Sequence, residues 1–130
     1  MKTLAQKLFI KPGFRVLGLN VPAEVEPLLH PLPDGATIED DASGEFDAVV
    51  LFVRNAAELA RFAPTALTAA PDDTLLWIAY PKKSSGIKTD INRDRGWEPV
   101  TNAGRRGVAQ IAIDETWSAL RFRPLERVGT

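Results

Sequence analysis

The sequence predicts an α/β fold: a mostly parallel sheet in a three-layer sandwich, closed by a C-terminal antiparallel hairpin. Three observations predict it. Residues 46–53 and 74–80 are runs rich in β-branched and aromatic residues without polar alternation, as strands covered on both faces require. Segments of helical periodicity lie around them, and strands alternating with helices select parallel βαβ units. Residues 108–113 and 117–123 form two further strands around Asp114-Glu115-Thr116, a hairpin at the end of the chain.

Along the chain, residues 2–10 carry Leu4, Leu8 and Phe9 at helical spacing, and Lys11-Pro12-Gly13 stops that short helix. Residues 14–20 read as a strand. Pro22 suits the first position of a helix, where its missing N–H costs nothing; Val25, Leu28 and Leu29 would be its buried stripe and residues 31–35 its end. A short strand over residues 36–39 leads into an acidic turn. Asn55 with Glu58 three residues later resembles a capping box, opening a helix that carries Leu59, Phe62 and Leu67. Pro64 is expected to kink or divide that helix, because proline removes a helix hydrogen bond. Beyond the strand over 74–80, Thr89 or Asp90 is expected to cap a broken helix reaching Ala103, interrupted at Gly96 and Pro99. In the hairpin, Leu120 and Phe122 alternate with Arg121 and Arg123, which turns the first pair toward the core. The order β-α-β-β-α-β-α-β-β is read as one domain over residues 1–130.

Composition narrows the function classes. Apolar residues at 45% with 25% charged residues exclude a disordered or fibrous chain. The net charge of −1 offers no global attraction to nucleic acid or to an anionic membrane. With no cysteine, disulfides, thiolate catalysis and cysteine-held metals are excluded, and a cytoplasmic setting is expected. No apolar run approaches the roughly 20 residues that span a bilayer, and the N-terminus lacks the apolar stretch of a signal peptide. The charge is polarised, however. Residues 22–73 hold eleven acidic residues against Arg54 and Arg61, whereas residues 82–106 hold seven basic residues against Asp90, Asp94 and Glu98. One rim of the molecule is therefore expected to attract anions.

The foremost candidate site is the loop after the strand over 74–80: Lys82, Lys83, Ser84, Ser85 and Gly86, with Lys88, Thr89 and Asp90. It leaves the carboxyl end of an interior parallel strand, where open α/β sheets bind ligands. Two lysines supply charge and two serines supply hydroxyls. Gly86 lets backbone N–H groups converge on an anion, and a helix starting near Thr89 would add its positive end. The spacing of a P-loop is absent. Arg93, Arg95, Arg105 and Arg106 would extend the basic rim. The expected partner is an anionic small molecule or an acidic protein surface, with no membrane contact. Nucleic acid is not expected, because Trp97 is the one aromatic beside that charge. The hairpin edge could pair with a second copy, which charges such as Arg121 and Arg123 would discourage. Asp114 and Glu115 are adjacent carboxylates in a turn and are expected to point apart into water. His30, the only histidine, has no metal co-ligand or nucleophile beside it, so no catalytic residue and no metal site is expected.

Glu45-Phe46-Asp47-Ala48-Val49-Val50-Leu51 resembles the fourth strand of a Rossmann-like methyltransferase core, and Leu75-Leu76-Trp77-Ile78-Ala79-Tyr80-Pro81 resembles the strand after it. The resemblance implies a Rossmann-like sandwich that lacks a helix-strand-helix unit between its second and fourth strands. More closely, Leu8-Phe9-Ile10-Lys11-Pro12-Gly13, Trp77-Ile78-Ala79-Tyr80-Pro81-Lys82-Lys83-Ser84-Ser85-Gly86, Thr89-Asp90 and Asp114-Glu115-Thr116-Trp117-Ser118 resemble a bacterial family of small methyltransferase-like proteins with no assigned activity. The methyltransferase fold implies S-adenosylmethionine, and the sequence departs from its pattern at the turn that would hold it. That turn reads Gly18-Leu19-Asn20-Val21-Pro22, with its glycine inside the strand and a proline where free N–H groups would serve. No cofactor is expected, although Glu39 or Asp40 stands where a ribose hydroxyl would be met. The resulting reading is a non-catalytic binding module on a degenerate methyltransferase-like fold, its site in the loop over 82–90. The alternative is a reduced S-adenosylmethionine-dependent methyltransferase with an altered pocket.

Overall fold

A computed structural model of the chain describes residues 2–128. Four strands run parallel: β1 (Arg15–Leu19), β2 (Thr37–Glu39), β3 (Ala48–Phe52) and β4 (Leu75–Pro81). β5 (Arg105–Ala112) and β6 (Trp117–Pro124) form the antiparallel hairpin, and β6 pairs antiparallel with β4. The six-stranded sheet has the order β2-β1-β3-β4-β6-β5. Helices α2 (Ala56–Ala69) and α3 (Glu98–Thr101) pack on one face; α1 (Leu4–Lys7) and the 3-10 turn Glu26–Leu29 pack on the other. The expected α/β sandwich with an antiparallel end is the observed one.

β3 shows why its sequence does not alternate. Val49 and Leu51 enter the core beneath α2, Ala48, Val50 and Phe52 enter the core beneath α1, and all five are inaccessible to solvent. The two cores are keyed by aromatics. On the α1 side the buried indole of Trp77 donates from Nε1 to the Leu8 carbonyl at 3.0 Å, and Phe52 meets Trp117 edge-on at 5.3 Å. On the α2 side Trp97 packs between Tyr80 and Phe122, with ring centroids 5.5 and 5.1 Å away.

Three local expectations change. Pro22 opens only a turn: residues 26–29 are a 3-10 helix, whose tighter winding buries Val25 and Leu29 and leaves Leu28 exposed. Helix α2 runs undivided through Pro64. Its buried face is Leu59, Ala63, Ala66 and Ala69, while Phe62 and Leu67 are only partly covered. An interior proline costs about 3 kcal/mol, and burying a leucine side chain alone returns about 2 kcal/mol, so the packed stripe holds the helix together. Residues 89–97 are not helical. The Thr89 hydroxyl accepts from the Ile91 N–H at 3.2 Å, and Asn92 and Arg95 exchange backbone bonds of 3.1 and 3.3 Å in a tight turn. Gly96 then takes φ +95°, where an added Cβ would lie 2.9 Å from Ile91 Cγ1.

The hairpin also resolves which strand is the edge. Arg121 and Arg123 lie on β6, which is interior, and β5 forms the free edge. Arg123 instead reaches Asp73 with two bonds, Nε to Oδ1 at 3.0 Å and Nη2 to Oδ2 at 2.6 Å. That guanidinium holds the Asp73 carboxyl below the usual carboxylate range. Because Pro64 is exposed, Pro64→Ala restores a helix bond and is expected to stabilise the protein by about 2 kcal/mol. The measurement is the urea midpoint, which should rise with an unchanged slope.

Candidate functional site

Strand order reverses at β1, which pairs with β2 on one side and β3 on the other. In an open α/β sheet such a reversal opens a crevice at the carboxyl ends of the two diverging strands. Here that crevice is clasped by the protein itself. Asn20 leaves β1 at φ 57°, a left-handed conformation that asparagine tolerates better than most residues. Its Nδ2 donates to the Phe52 carbonyl at 2.8 Å and to Glu58 Oε1 at 3.3 Å. Glu58 Oε1 also accepts from the Arg54 N–H at 2.7 Å, while the Glu58 N–H donates to Asn55 Oδ1 at 2.9 Å. The expected cap of α2 is thus half of a capping box, with the glutamate turned to the clasp.

Beside the clasp lies a concavity of about 630 Å³ whose lining includes Gly18, Asn20, Val21 and Ile38 and the carboxylates Glu26, Glu39 and Asp40. Gly18 has a packing reason: a Cβ there would lie 3.1 Å from both Ile38 Cδ1 and Val21 Cγ2. Glu39 is engaged by Arg15 through Nε and Nη2, which holds its carboxyl below the ordinary range. Asp40 is left exposed at the rim. The turn after β1 has no glycine-rich stretch, and the Asn20 amide beside the concavity is already bonded to the Phe52 carbonyl and to Glu58. The residues present therefore do not offer the free donors that S-adenosylmethionine would need there.

A second concavity, of about 870 Å³, opens at the carboxyl end of β4 and includes Tyr80, Lys82, Lys83, Arg93, Gln110 and Ser118 in its lining. Its floor is built by strand register: Tyr80 on β4 stands directly opposite Ser118 on β6. Each is only 4% exposed, so the phenol and the Ser118 hydroxyl lie side by side out of solvent. Burial pushes the Tyr80 phenol up, so it stays protonated at neutral pH. Lys82, Lys83 and Arg93 supply positive charge at the groove, and Asp94 is the acidic residue there.

The eight residues singled out in the loop do not gather at one point. Lys82 is anchored by its backbone N–H to the Thr116 carbonyl at 2.7 Å and, with Lys83, lines the groove. Residues 83–85 form a 3-10 turn ended by Gly86 at φ 83°. Ser84 is exposed, and Ser85 Oγ is taken by the Ile87 N–H at 3.2 Å. Lys88 is exposed, and Thr89 serves its own turn. Asp90 turns away entirely: its Oδ1 accepts from the Ala56 N–H at 2.7 Å and caps α2. The helix start expected near Thr89, and the dipole it would bring, is absent because Asp90 closes a different helix. Arg106 bends back to the Thr101 and Arg105 carbonyls, at 3.0 and 2.8 Å, and Arg105 is buried and donates to the Ala70 carbonyl at 2.8 Å. Of the expected basic rim, Arg93 is the arginine that lines this groove. Tyr80, Gln110 and Ser118 were missed as lining residues; their signal is strand parity, which identifies a shared face only once the hairpin register is known. Among the described residues, no group of three or more His, Asp or Glu side chains could hold a metal ion, and no helix is long and apolar enough to cross a membrane.

No protein-family model and no curated protein matches this chain. Its fold matches solved structures. A protein of the NADB-Rossmann superfamily from Streptococcus agalactiae superposes with a TM-score of 0.51 at 8% identity, over 95% of this chain and 68% of that one. The m1A22 tRNA methyltransferase TrmK from B. subtilis gives 0.52 at 10% identity, over 95% and 66%. TrmN from Thermus thermophilus gives 0.52 at 12% identity, over 92% and 46%. The chain thus spans about two thirds of the first two and less than half of the third. The resemblance to a Rossmann-like methyltransferase core holds at the level of fold. The expectation against nucleic acid as a partner is overturned, because TrmK puts a tRNA-modifying enzyme on this architecture. Any such contact would rest on charge alone. Trp97 is buried, with Nε1 donating to the Asn92 carbonyl at 2.8 Å, and contact with a phosphate backbone needs charge rather than an aromatic platform.

The clasp yields a test. Asn20→Gly loses the side-chain bonds but keeps the backbone conformation at ease, and is expected to cost about 1 kcal/mol. Asn20→Ala loses the bonds and strains φ as well, for about 2 kcal/mol. Chemical denaturation of the two variants should rank them in that order.

Proposed function

We propose that this chain is a methyltransferase-fold protein that binds RNA along the groove at the carboxyl end of β4, with Lys82, Lys83 and Arg93 taking backbone phosphates. The observation that carries the reading is the convergence of those three cations, from two turns of the one connection between β4 and α3, on a groove floored by the buried residues Tyr80 and Ser118. The position is the one at which open α/β sheets bind ligands, and the fold likeness to a tRNA methyltransferase supports the choice of anion. The loop site expected from sequence is kept in part, through Lys82 and Lys83. The closer likeness to a bacterial family of small methyltransferase-like proteins, carried by residues 77–86 and 114–118, belongs to this proposal. So does the reading of residues 1–130 as one domain.

A second reading, the reduced methyltransferase, has better support from the structural neighbours than a purely non-catalytic module has. Its own observation is the concavity beside Gly18 that ends at the exposed Asp40 carboxylate. The Asn20 clasp stands against it. Calorimetric titration with S-adenosylmethionine separates the two: heat that vanishes in Asp40→Ala favours the enzyme, and no heat at millimolar cofactor favours the binding module.

For RNA, Lys82→Glu with Lys83→Glu is expected to weaken binding of a short tRNA-derived stem-loop at least tenfold. The slope of log affinity against log salt should fall by about 2 as two phosphate contacts are lost. Fluorescence anisotropy across a salt series reads both. Unchanged affinity in the double variant, with its circular dichroism intact, overturns the assignment.

A further inference from the structure

We propose that the free edge of β5 pairs antiparallel with β5 of a second copy of this chain, joining the two sheets about a two-fold axis normal to them. The sheet has two edges of different character. β2 is three residues long, too short to template another strand, whereas β5 has eight residues and, among the described residues, pairs only with β6. Arg106 to Gln110 are consecutively exposed, and Val108 keeps 39% of its surface in solvent although it is apolar.

The usual guards of such an edge are weak here. β5 contains no proline and no lysine, and its single irregularity lies between Gly107 and Ala109. From Ala109 to Ala112 the strand is regular against β6, so its outward backbone groups stand in the spacing a further strand needs. The inward charge on β5, Arg105, is already buried and directed to the Ala70 carbonyl, so it adds no charge at the open edge.

Charge complementarity selects a second copy as the occupant. β5 carries the exposed Arg106 near its start and runs into the turn Asp114-Glu115, where Glu115 is exposed. Antiparallel pairing of two identical strands sets the basic start of each beside the acidic end of the other, and a parallel arrangement would set like charges together. A register centred on Gln110 brings the exposed Arg106 of each copy toward the exposed Glu115 of the other. A two-fold normal to the sheet keeps equivalent faces on the same side. Gln110 and Ala112 line the basic groove, so that groove would lie at the seam and continue into its twin. The pairing does not depend on the identity of what the groove binds.

The experiment is sedimentation equilibrium of the full chain from micromolar to submillimolar concentration. The mass is expected to rise from the 14.2 kDa of one chain toward twice that value. Arg106→Glu should weaken the dimer about tenfold, since the symmetry applies each change twice, and Arg106→Glu with Glu115→Arg should restore it. Gln110→Lys places two ammonium groups at the axis and should give a monomer, with circular dichroism and thermal midpoint confirming that the chain is folded. A wild-type mass that stays monomeric throughout, or a dimer indifferent to both Arg106→Glu and Gln110→Lys, overturns the proposal. Should Gln110→Lys fail to fold, the charge reversal and its rescue decide alone.

Discussion

Parallel pairing of β1, β3 and β4, each buried on both faces, is the constraint from which the rest of this protein follows. Strands that run the same way deliver all their carboxyl ends to one edge of the sheet. Turns at that edge are then the places where polar side chains can converge without being buried in a core. Residues 20–23, 53–55 and 82–97 all leave the sheet there. Each of those turns has a different fate, and the differences come from single side chains.

At the first turn, Asn20 spends its amide on the neighbouring strand and on Glu58. A hydrogen bond to a carboxylate in a partly buried setting is worth more than one between neutral groups, so the crevice that this topology opens is closed by its own walls. At the long turn after β4, Asp90 is drawn to the first N–H of α2. A carboxylate on a helix start satisfies an orphan donor and the positive end of the helix at once. That removes negative charge from the neighbourhood of Lys82 and Lys83 and leaves their groove more basic than the sequence of the loop suggests. The surviving polar surface therefore sits between β4, β6 and the turn over residues 92–96.

Much of the architecture was legible because it rests on local signals. The unbroken apolar runs of β3 and β4, the Asn55 cap and the Asp114 turn are properties of neighbouring residues. The misread elements are those in which distant packing overrides local preference. Pro64 sits in an undivided helix because an alanine-lined face is pressed on the sheet. The capping chemistry at Thr89 and Asp90 is real but serves a turn and another helix. Arg121 and Arg123 looked like edge guards because the order of the last two strands is not written in their sequence.

The candidate site divides along the same line. The sequence alone determined the strands, their burial, the lysines after β4 and the absence of a glycine-rich turn after β1, since each depends on residue type at short range. The tertiary structure alone decided that Tyr80 faces Ser118, that Arg93 joins Lys82 and Lys83, that Asn20 bars the crevice and that β5 is the open edge. Those are relations between residues far apart in the chain. They are set by register and by competition for hydrogen-bond partners, which no local pattern records.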